Sequence, residues 1–522
     1  MPTIKDIARE AGVSHGTVSN VINGRGNVSV EKIQLVWQAA EKLGYKVNSK
    51  AQSLRQGQDR SIAVLLPSIE DRRWAAMYEV FQNEFIRNLV TLSSGTLIAQ
   101  AIPMLATLVL SRLYSPSEMG EWGVFSSYAS ILAVIACLRY ENAIVKPLRV
   151  LDAYNLSFLS IFMASSFTLV LYGIVFFVDV FQYDDFCSLS RKALYVLPLY
   201  VLCLSLIQVL GNLANKTKRY RSLAFSSVGR SLTQATSRIT LGYCSFTNIG
   251  LIAGAGLGAL FNVIFLSVKL RVRYFFVRAF SIKRVWHLVR EYKDFPKYDL
   301  LSNVFNSISS HIPVILLAYF FLDDVAGYFS MALTLLFIPM SIIGTSLGQL
   351  YYRDACELHA KGGSLSGLTM KIFVPTYIGC GIFMLVLILG GETIFGFLLG
   401  SKWATVGKYA TYMSLWLLLV TSISPLSSIF YVKDKQKINV YFNVTALVLR
   451  ILVLLLGGFY FRSSDWTIFF FGIVSFLLFA VQGIIIKKLT EVVFSNRVLF
   501  YLLGVTVVLL LSYVWRVFVW LS

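Results

Sequence analysis

The sequence predicts an all-α fold: a polytopic membrane helix bundle of about 12–14 spans in two six-helix lobes, preceded by a small helix-turn-helix domain. Three observations predict it. The 522 residues are 56% hydrophobic and 14% charged, with a mean hydropathy of +0.68, more apolar surface than a soluble fold buries. From Leu89 onward apolar runs recur, each near the roughly 20 residues a bilayer-crossing helix needs. The connections between runs alternate between rich and poor in Lys and Arg, as insertion with positive residues inside demands.

The runs fall at approximately 89–111, 121–138, 153–178, 193–214, 222–243, 246–268, 299–322, 325–350, 367–391, 409–432, 438–461, 466–486 and 498–520. With the N-terminus inside, the inner connections carry 24 Lys and Arg and the outer ones 6. Topology therefore accounts for much of the net charge of +20, including the stretch KLRVRYFFVRAFSIKRVWHLVREYKDFPK, which reads as an amphipathic helix on the inner membrane face between the lobes. Residues 1–30 have no signal-peptide core, so the first span is expected to act as an internal insertion signal.

Six scattered cysteines and four scattered histidines form neither a metal-site spacing nor a disulfide framework, and no nucleophile or nucleotide site emerges. The expectation is a transporter without cofactor or metal, not an enzyme. GAGLGAL at 254–260 resembles a dinucleotide loop, but it lies inside an apolar span, where Gly254 and Gly258 have the spacing of close helix packing.

The chain repeats itself weakly. RLYSPSEMGEWGVFSSYASIL after the first run pairs with YFFLDDVAGYFSMALTLLFIP after the seventh, aligning Gly120 with Gly327. The basic turns NKTKRYR and KDKQK also correspond, which implies two six-helix repeats inserted the same way round plus one extra helix.

Polar residues inside spans are costly, about 2.5–3.5 kcal/mol for a central Arg on insertion scales, so they face a cavity or a partner. In the fifth run Ser227, Arg230, Ser231, Gln234, Ser237 and Arg238 share one helical face. Arg450, with Asn443 and Asn439 beneath it, lies in the repeat-related eleventh run. Asp299, Asn303, Asn306, Ser307 and Ser310 line the seventh, and Ser93, Thr96 and Gln100 the first. Hydroxyl-bearing residues also serve as packing glue between helices. The cationic stripes favour a hydrated cavity for an anionic, hydroxyl-rich cargo.

Two segments carry a family resemblance. RLYSPSEMGEWGVFSSYASILAVIACLRYENAIVKP (112–147) and FLLGSKWATVGKYATYMSLWLLLVTSISPLSSIFYVKDKQ (397–436) resemble the signatures of Wzx-type oligosaccharide flippases of the MOP exporter superfamily, over residues 88–522. The resemblance implies transport of a polyprenyl-diphosphate-linked oligosaccharide, an O-antigen or capsular or exopolysaccharide repeat unit, across a bacterial cytoplasmic membrane by alternating access. It implies as partners the lipid-linked oligosaccharide, membrane lipids and other polysaccharide-assembly proteins. Arg230, Gln234, Arg238, Arg450, Asn303 and Gln100 would line the cargo cavity. Arg139 with Glu141 would form a charged pair at its inner rim, with Glu141 and Asp299 as candidates for ion coupling.

At the N-terminus, apolar Ile4, Ile7 and Ala8, a turn at Ala11–Gly12–Val13 and a second short helix from Ser14 make a helix-turn-helix pattern. Residues 2–58 resemble LacI-type repressor headpieces. The resemblance places His15, Gly16 and Asn20 at base-reading positions, Thr17 and Ser19 near phosphates, and Leu54 of a hinge helix in the minor groove of operator DNA. SIAVLLPSIEDRRWAAMYEVF then resembles the first strand and helix of the repressor's sugar-binding domain, which breaks off. The expected organisation is 1–58 headpiece with hinge, 59–86 truncated sugar-binding start and junction, 87–268 first lobe, 269–298 basic linker, 299–490 second lobe and 491–522 extra helix. The competing expectation is a membrane-anchored LacI-type transcription regulator.

Overall fold

A computed structural model describes residues 4–23, 28–43, 84–181, 189–272, 280–360, 362–433 and 435–521. The chain divides into two compact units, Met1–Gln82 and Asn83–Ser522. The hinge helix with Leu54 and the strand expected from Ser61 lie outside the described residues.

In the first unit, α1 (Ile4–Glu10), α2 (His15–Asn23) and α3 (Val30–Lys42) enclose a small core of Ile7, Ala8, Val18, Val36, Ala39 and Ala40. Gly12, at φ +63°, makes the turn between α1 and α2, a conformation that suits a residue without Cβ. Ser14 caps α2, its hydroxyl accepting the Thr17 N–H at 3.1 Å. Lys42 donates to Glu10 at 2.6 Å and ties the end of α3 to α1.

Among the described residues of the second unit are thirteen helices of twenty or more residues, matching the thirteen apolar runs. The first lobe comprises α4 (Glu84–Leu113), α5 (Pro116–Ala136), α6 (Val150–Val180), α7 (Arg191–Lys216), α8 (Tyr220–Tyr243) and α9 (Thr247–Lys269). The second comprises α10 (Leu300–Phe321), α11 (Asp323–Ala360), α12 (Ser366–Leu399), α13 (Ala404–Ile423), α14 (Gln436–Leu456) and α15 (Ser464–Thr490), with α16 (Asn496–Leu521) added on α12. Eleven helical segments among the described residues are long and apolar enough to cross a membrane, so this is a multi-pass membrane protein. The other two long helices are α8, whose Arg230 and Arg238 lower its hydropathy, and α11.

Helix pairing repeats between the lobes: α4 with α8, α6 with α7, α7 with α9 and α8 with α9 correspond to α10 with α14, α12 with α13, α13 with α15 and α14 with α15. The lobes meet chiefly where α5 packs on α10 and α11. One end of the bundle carries the Lys/Arg-rich connections and is called the basic end; the opposite one is the far end.

Local sequence explains the far end. Ser115, Pro116 and Glu118 form a capping box at the start of α5, with the Glu118 carboxylate accepting the Ser115 N–H at 2.7 Å. Pro116 is tolerated at the first helical position because its missing N–H would be unpaired there anyway. The starts of α5 and α11 then cross in backbone contact. A Cβ on Gly120 would overlap the Asp323 carbonyl oxygen, and one on Gly327 would overlap that of Pro116. The contact is reciprocal, as two-fold-related repeats require, and the aligned glycines of the two repeats make it.

At the basic end, the linker forms a short amphipathic helix, Ile282–Glu291, with Leu288 buried against the first lobe. Arg284 holds it there through a bidentate pair with Asp152 at 2.7 and 2.8 Å. The helical path to α10 resumes at Phe295–Asp299, ahead of the expected lobe boundary.

Candidate functional site

Three cavities share walls, two of them between the lobes and the third within the second lobe. One of about 210 Å³ lies against Gln234 and Arg238 of α8. A second of about 500 Å³ lies against Asn443 and Arg450 of α14 and shares Gly123, Ser126, Ser330 and Thr334 with the first. A third of about 360 Å³ meets the second at Phe337 and Val420 and continues to Gly348 and Pro425, toward the basic end.

Each arginine is held in a similar way from repeat-related helices. The Arg238 guanidinium lies 4.1 Å from the ring centre of Trp122, and its Nε donates to the Leu251 carbonyl at 2.9 Å. With the Gln234 amide turned so that its oxygen faces the guanidinium, that oxygen accepts at 2.9 Å. Arg450 lies 5.3 Å from the Trp416 ring, and its Nε and Nη1 face the hydroxyls of Ser475 and Ser309 at 3.2 and 3.4 Å. Ring faces, hydroxyls and carbonyls stabilise a cation partially. Neither arginine has a carboxylate partner among the described residues, so the cavity between them keeps an unneutralised positive potential.

The structure separates the other expected cavity residues. Arg230 shares the α8 stripe but lies outside the walls of these three cavities, and has no hydrogen-bond or ion-pair partner among the described residues. Gln100 is part-buried on α4, its Oε1 without a hydrogen-bond partner among the described residues, and it is also outside these walls. Asn303 turns back to Asp299 instead, donating to its carboxylate at 3.0 Å and to its carbonyl at 2.8 Å. An Asp four residues earlier on the same helical path offers a closer acceptor than the cavity does.

Arg139, Glu141 and Asp299 come together at the basic end. Arg139 Nη1 is 3.3 Å from Glu141 and its Nε 3.0 Å from Asp299, which also accepts from Asn142 at 3.2 Å. Arg139 adopts φ +65°, in the left-handed region, which turns its side chain out of α5 toward the second lobe. The cluster therefore joins the connection after α5 to the start of α10. Glu141 is 1% exposed, and burial pushes its carboxyl up to about 7 although Arg139 opposes the shift.

At the far end the two signature segments dock on each other. The last carbonyls of α4 lack helical partners, and the other lobe supplies them. The Trp403 indole N–H donates to the Ser111 carbonyl at 2.7 Å, and Lys402 Nζ to the Tyr114 carbonyl at 2.8 Å. Gly400, at φ +105°, ends α12 and lets the chain turn into Lys402 and Trp403. The Tyr114 hydroxyl donates in turn to the Arg238 carbonyl at 2.8 Å, connecting this seal to the cationic cavity. Sequence reasoning missed Trp122, Trp416, Tyr114, Lys402 and Trp403 as site residues, although all five stand inside the quoted signature segments.

In the small unit, Val18 buries α2 in the core and leaves His15, Gly16 and Asn20 exposed, with Thr17 and Ser19 half-buried. The base-reading positions thus lie on the outward face of α2. Among the described residues no cluster of His, Cys, Asp and Glu in either unit could hold a metal ion.

Comparison with known proteins agrees with both units. Residues 109–408 match the family described as polysaccharide biosynthesis protein, and residues 3–48 match bacterial regulatory proteins of the lacI family. The chain is 32% identical over 143 residues to catabolite control protein B of Bacillus subtilis (strain 168), covering 26% of this chain and 46% of that protein. It is 44% identical over 68 residues to the HTH-type transcriptional regulator GntR of Pseudomonas aeruginosa, covering 13% and 20%. The chain thus spans less than half the length of these curated relatives. Among solved structures, the lipid II flippase MurJ in an inward closed conformation matches with a TM-score of 0.56 at 12% identity, over 82% of this chain and 98% of that one. An inward-facing multidrug resistance MATE family transporter of the MOP superfamily matches with a TM-score of 0.55 at 13% identity, over 77% and 99%. At these identities the likeness is one of fold. The chain belongs, through residues 109–408, to the polysaccharide biosynthesis protein family; its helix bundle shares the fold of these two transporters, and a helix-turn-helix domain matching the lacI family precedes it.

Proposed function

We propose that the bundle transports a polyprenyl-diphosphate-linked oligosaccharide, an O-antigen or capsular or exopolysaccharide repeat unit, across the bacterial cytoplasmic membrane by alternating access. The observation that carries this reading is the pair of cavity arginines, Arg238 and Arg450, without a carboxylate partner among the described residues. A diphosphate or an acidic sugar supplies the missing anion, while Ser, Thr and Asn side chains along the walls offer hydrogen bonds to sugar hydroxyls. The closed far end and the path toward the basic end fit a loading state, with the basic end and the N-terminus in the cytoplasm. The family match supports the substrate class. Complementation is the test: the full chain should restore surface polysaccharide to a flippase-null strain. Failure to do so, with the protein present in the membrane, contradicts the proposal.

Glu141 is the proposed coupling residue, with Arg139 and Asp299 as the charged groups that face it. A carboxyl whose pKa is raised by folding favours the buried arrangement while protonated, and that contribution is lost as pH rises toward about 7. The Arg139–Glu141–Asp299 cluster is therefore expected to open more readily above that pH. Glu141→Gln should remove the inflexion near pH 7 from the transport profile and behave at every pH like the wild type at low pH. An unchanged inflexion in the variant would remove Glu141 from the coupling role.

The second reading, a membrane-anchored LacI-type regulator, draws support from the exposed base-reading face of α2. A lone headpiece makes few phosphate contacts, so weak and strongly salt-dependent DNA binding is expected. Specific retardation of an operator fragment by the full chain in detergent, lost in Asn20→Ala, would favour the regulator; retardation indifferent to sequence would leave the headpiece without this role.

A further inference from the structure

A fourth cavity, of about 320 Å³, lies in the second lobe between α12, α13, α15 and α16. It shares no wall residue with the three central cavities: Leu419 and Ile423 face it, whereas Trp416 and Val420 on other faces of α13 line the central path. Its walls are almost wholly apolar, and its hydroxyls are already paired, Tyr377 with Thr506 at 2.9 Å and Thr369 with Tyr351 at 3.0 Å. Sugar or water finds no free polar partner at these hydroxyls, and an empty apolar void of this size forfeits packing contacts on all sides. Exposed Ile484, Leu499 and Leu503 belong to the walls, so the cavity communicates with the apolar surface of the bundle.

At the basic end of the cavity stands Lys487, in the last turn of α15, with its Nζ 5.5 Å from the Phe494 ring and no carboxylate partner among the described residues. A cation beside an apolar slot open to the bilayer matches an amphiphile with a negative headgroup. A cargo whose diphosphate sits at Arg238 or Arg450 is separated from this slot by α13. The surrounding bilayer is the remaining source.

We propose that this cavity is a lipid site, taking one acyl chain of an anionic glycerophospholipid with its phosphate at Lys487, and that the lipid fastens α16 to the bundle. The proposal is independent of the cargo reading. It is tested by native mass spectrometry of the delipidated full chain titrated separately with phosphatidylglycerol, phosphatidylethanolamine and a polyprenyl phosphate. The expected result is one retained phosphatidylglycerol per chain. Retention should fall about fivefold in Lys487→Gln, from the loss of roughly one lipid-facing charge, and disappear in Ala480→Phe, which fills the slot. It should be unchanged in Arg450→Gln. Equal retention of phosphatidylethanolamine, or phosphatidylglycerol retention unaffected by Lys487→Gln, would overturn the headgroup assignment and with it the proposal. Displacement of phosphatidylglycerol by the polyprenyl phosphate would overturn it too, by giving the slot to the cargo's tail.

Discussion

Replacing Arg238 and Arg450 together with glutamine is expected to abolish polysaccharide export while leaving the protein in the membrane. Arg238 is buried and Arg450 half-buried; rings, hydroxyls and carbonyls support the two cations, and no carboxylate among the described residues neutralises either. A hydrogen bond to a charged group contributes about 1.5–3 kcal/mol, so each single substitution should weaken binding of a diphosphate-bearing cargo by roughly 10- to 150-fold. The double variant should lose both contributions. Glutamine keeps hydrogen-bonding capacity toward Ser475, Ser309 and Leu251, and removing a buried uncompensated charge relieves desolvation. The bundle should accordingly be no less stable, which thermal unfolding in detergent would check. If the arginines served packing alone, the variants would unfold earlier and bind cargo unchanged.

The second large effect is expected at Gly120. Its backbone lies against the start of α11 so closely that any side chain would overlap the Asp323 carbonyl oxygen. Overpacking typically costs about 1–3 kcal/mol, and here the cost falls only on the state in which the far end is closed. An energy of that size shifts a two-state equilibrium by roughly 5- to 150-fold. Gly120→Val should hold the far end open and stop transport. A cysteine introduced at Thr334, inside the cavity wall, should then label from the far side of the membrane much faster than in the Gly120 parent. Equal labelling rates would mean that this crossing is not the seal. Gly327→Val should behave alike, because the contact is reciprocal.

Much of this architecture was legible because a bilayer imposes simple rules. A crossing helix needs about twenty apolar residues, and each apolar run became a helix, most of them a few residues longer at the ends where the chain leaves the apolar zone. The polar stripe on α8 was legible for the same reason: Gln234 and Arg238 could not face lipid cheaply, and they face a cavity. What periodicity could not supply is the choice of partner. Asn303 sits on a polar face yet turns to Asp299, because spacing cannot rank an acceptor one turn away against a cavity. Trp122 and Trp416 read as ordinary apolar residues, and only the lobe geometry brings them under the guanidinium groups. Docking of Lys402 and Trp403 on the end of α4 joins positions nearly 300 residues apart, which no local pattern encodes. The repeat was the exception: aligning Gly120 with Gly327 pointed to two glycines that meet.

The seam near residue 86 also takes a physical form. Helix α4 begins at Glu84 and runs unbroken through the expected start of the transporter at 87, so the division between the units falls at Gln82 and Asn83.

Transport itself is the most direct measurement. The full chain, reconstituted in vesicles loaded with a polyprenyl-diphosphate oligosaccharide on one leaflet, should expose the sugar to an impermeant glycosidase on the other, and the Arg238→Gln/Arg450→Gln double variant should not. Exposure at the protein-free rate by the wild type, or at the wild-type rate by the double variant, would contradict a cation-lined cavity that carries an anionic lipid-linked sugar.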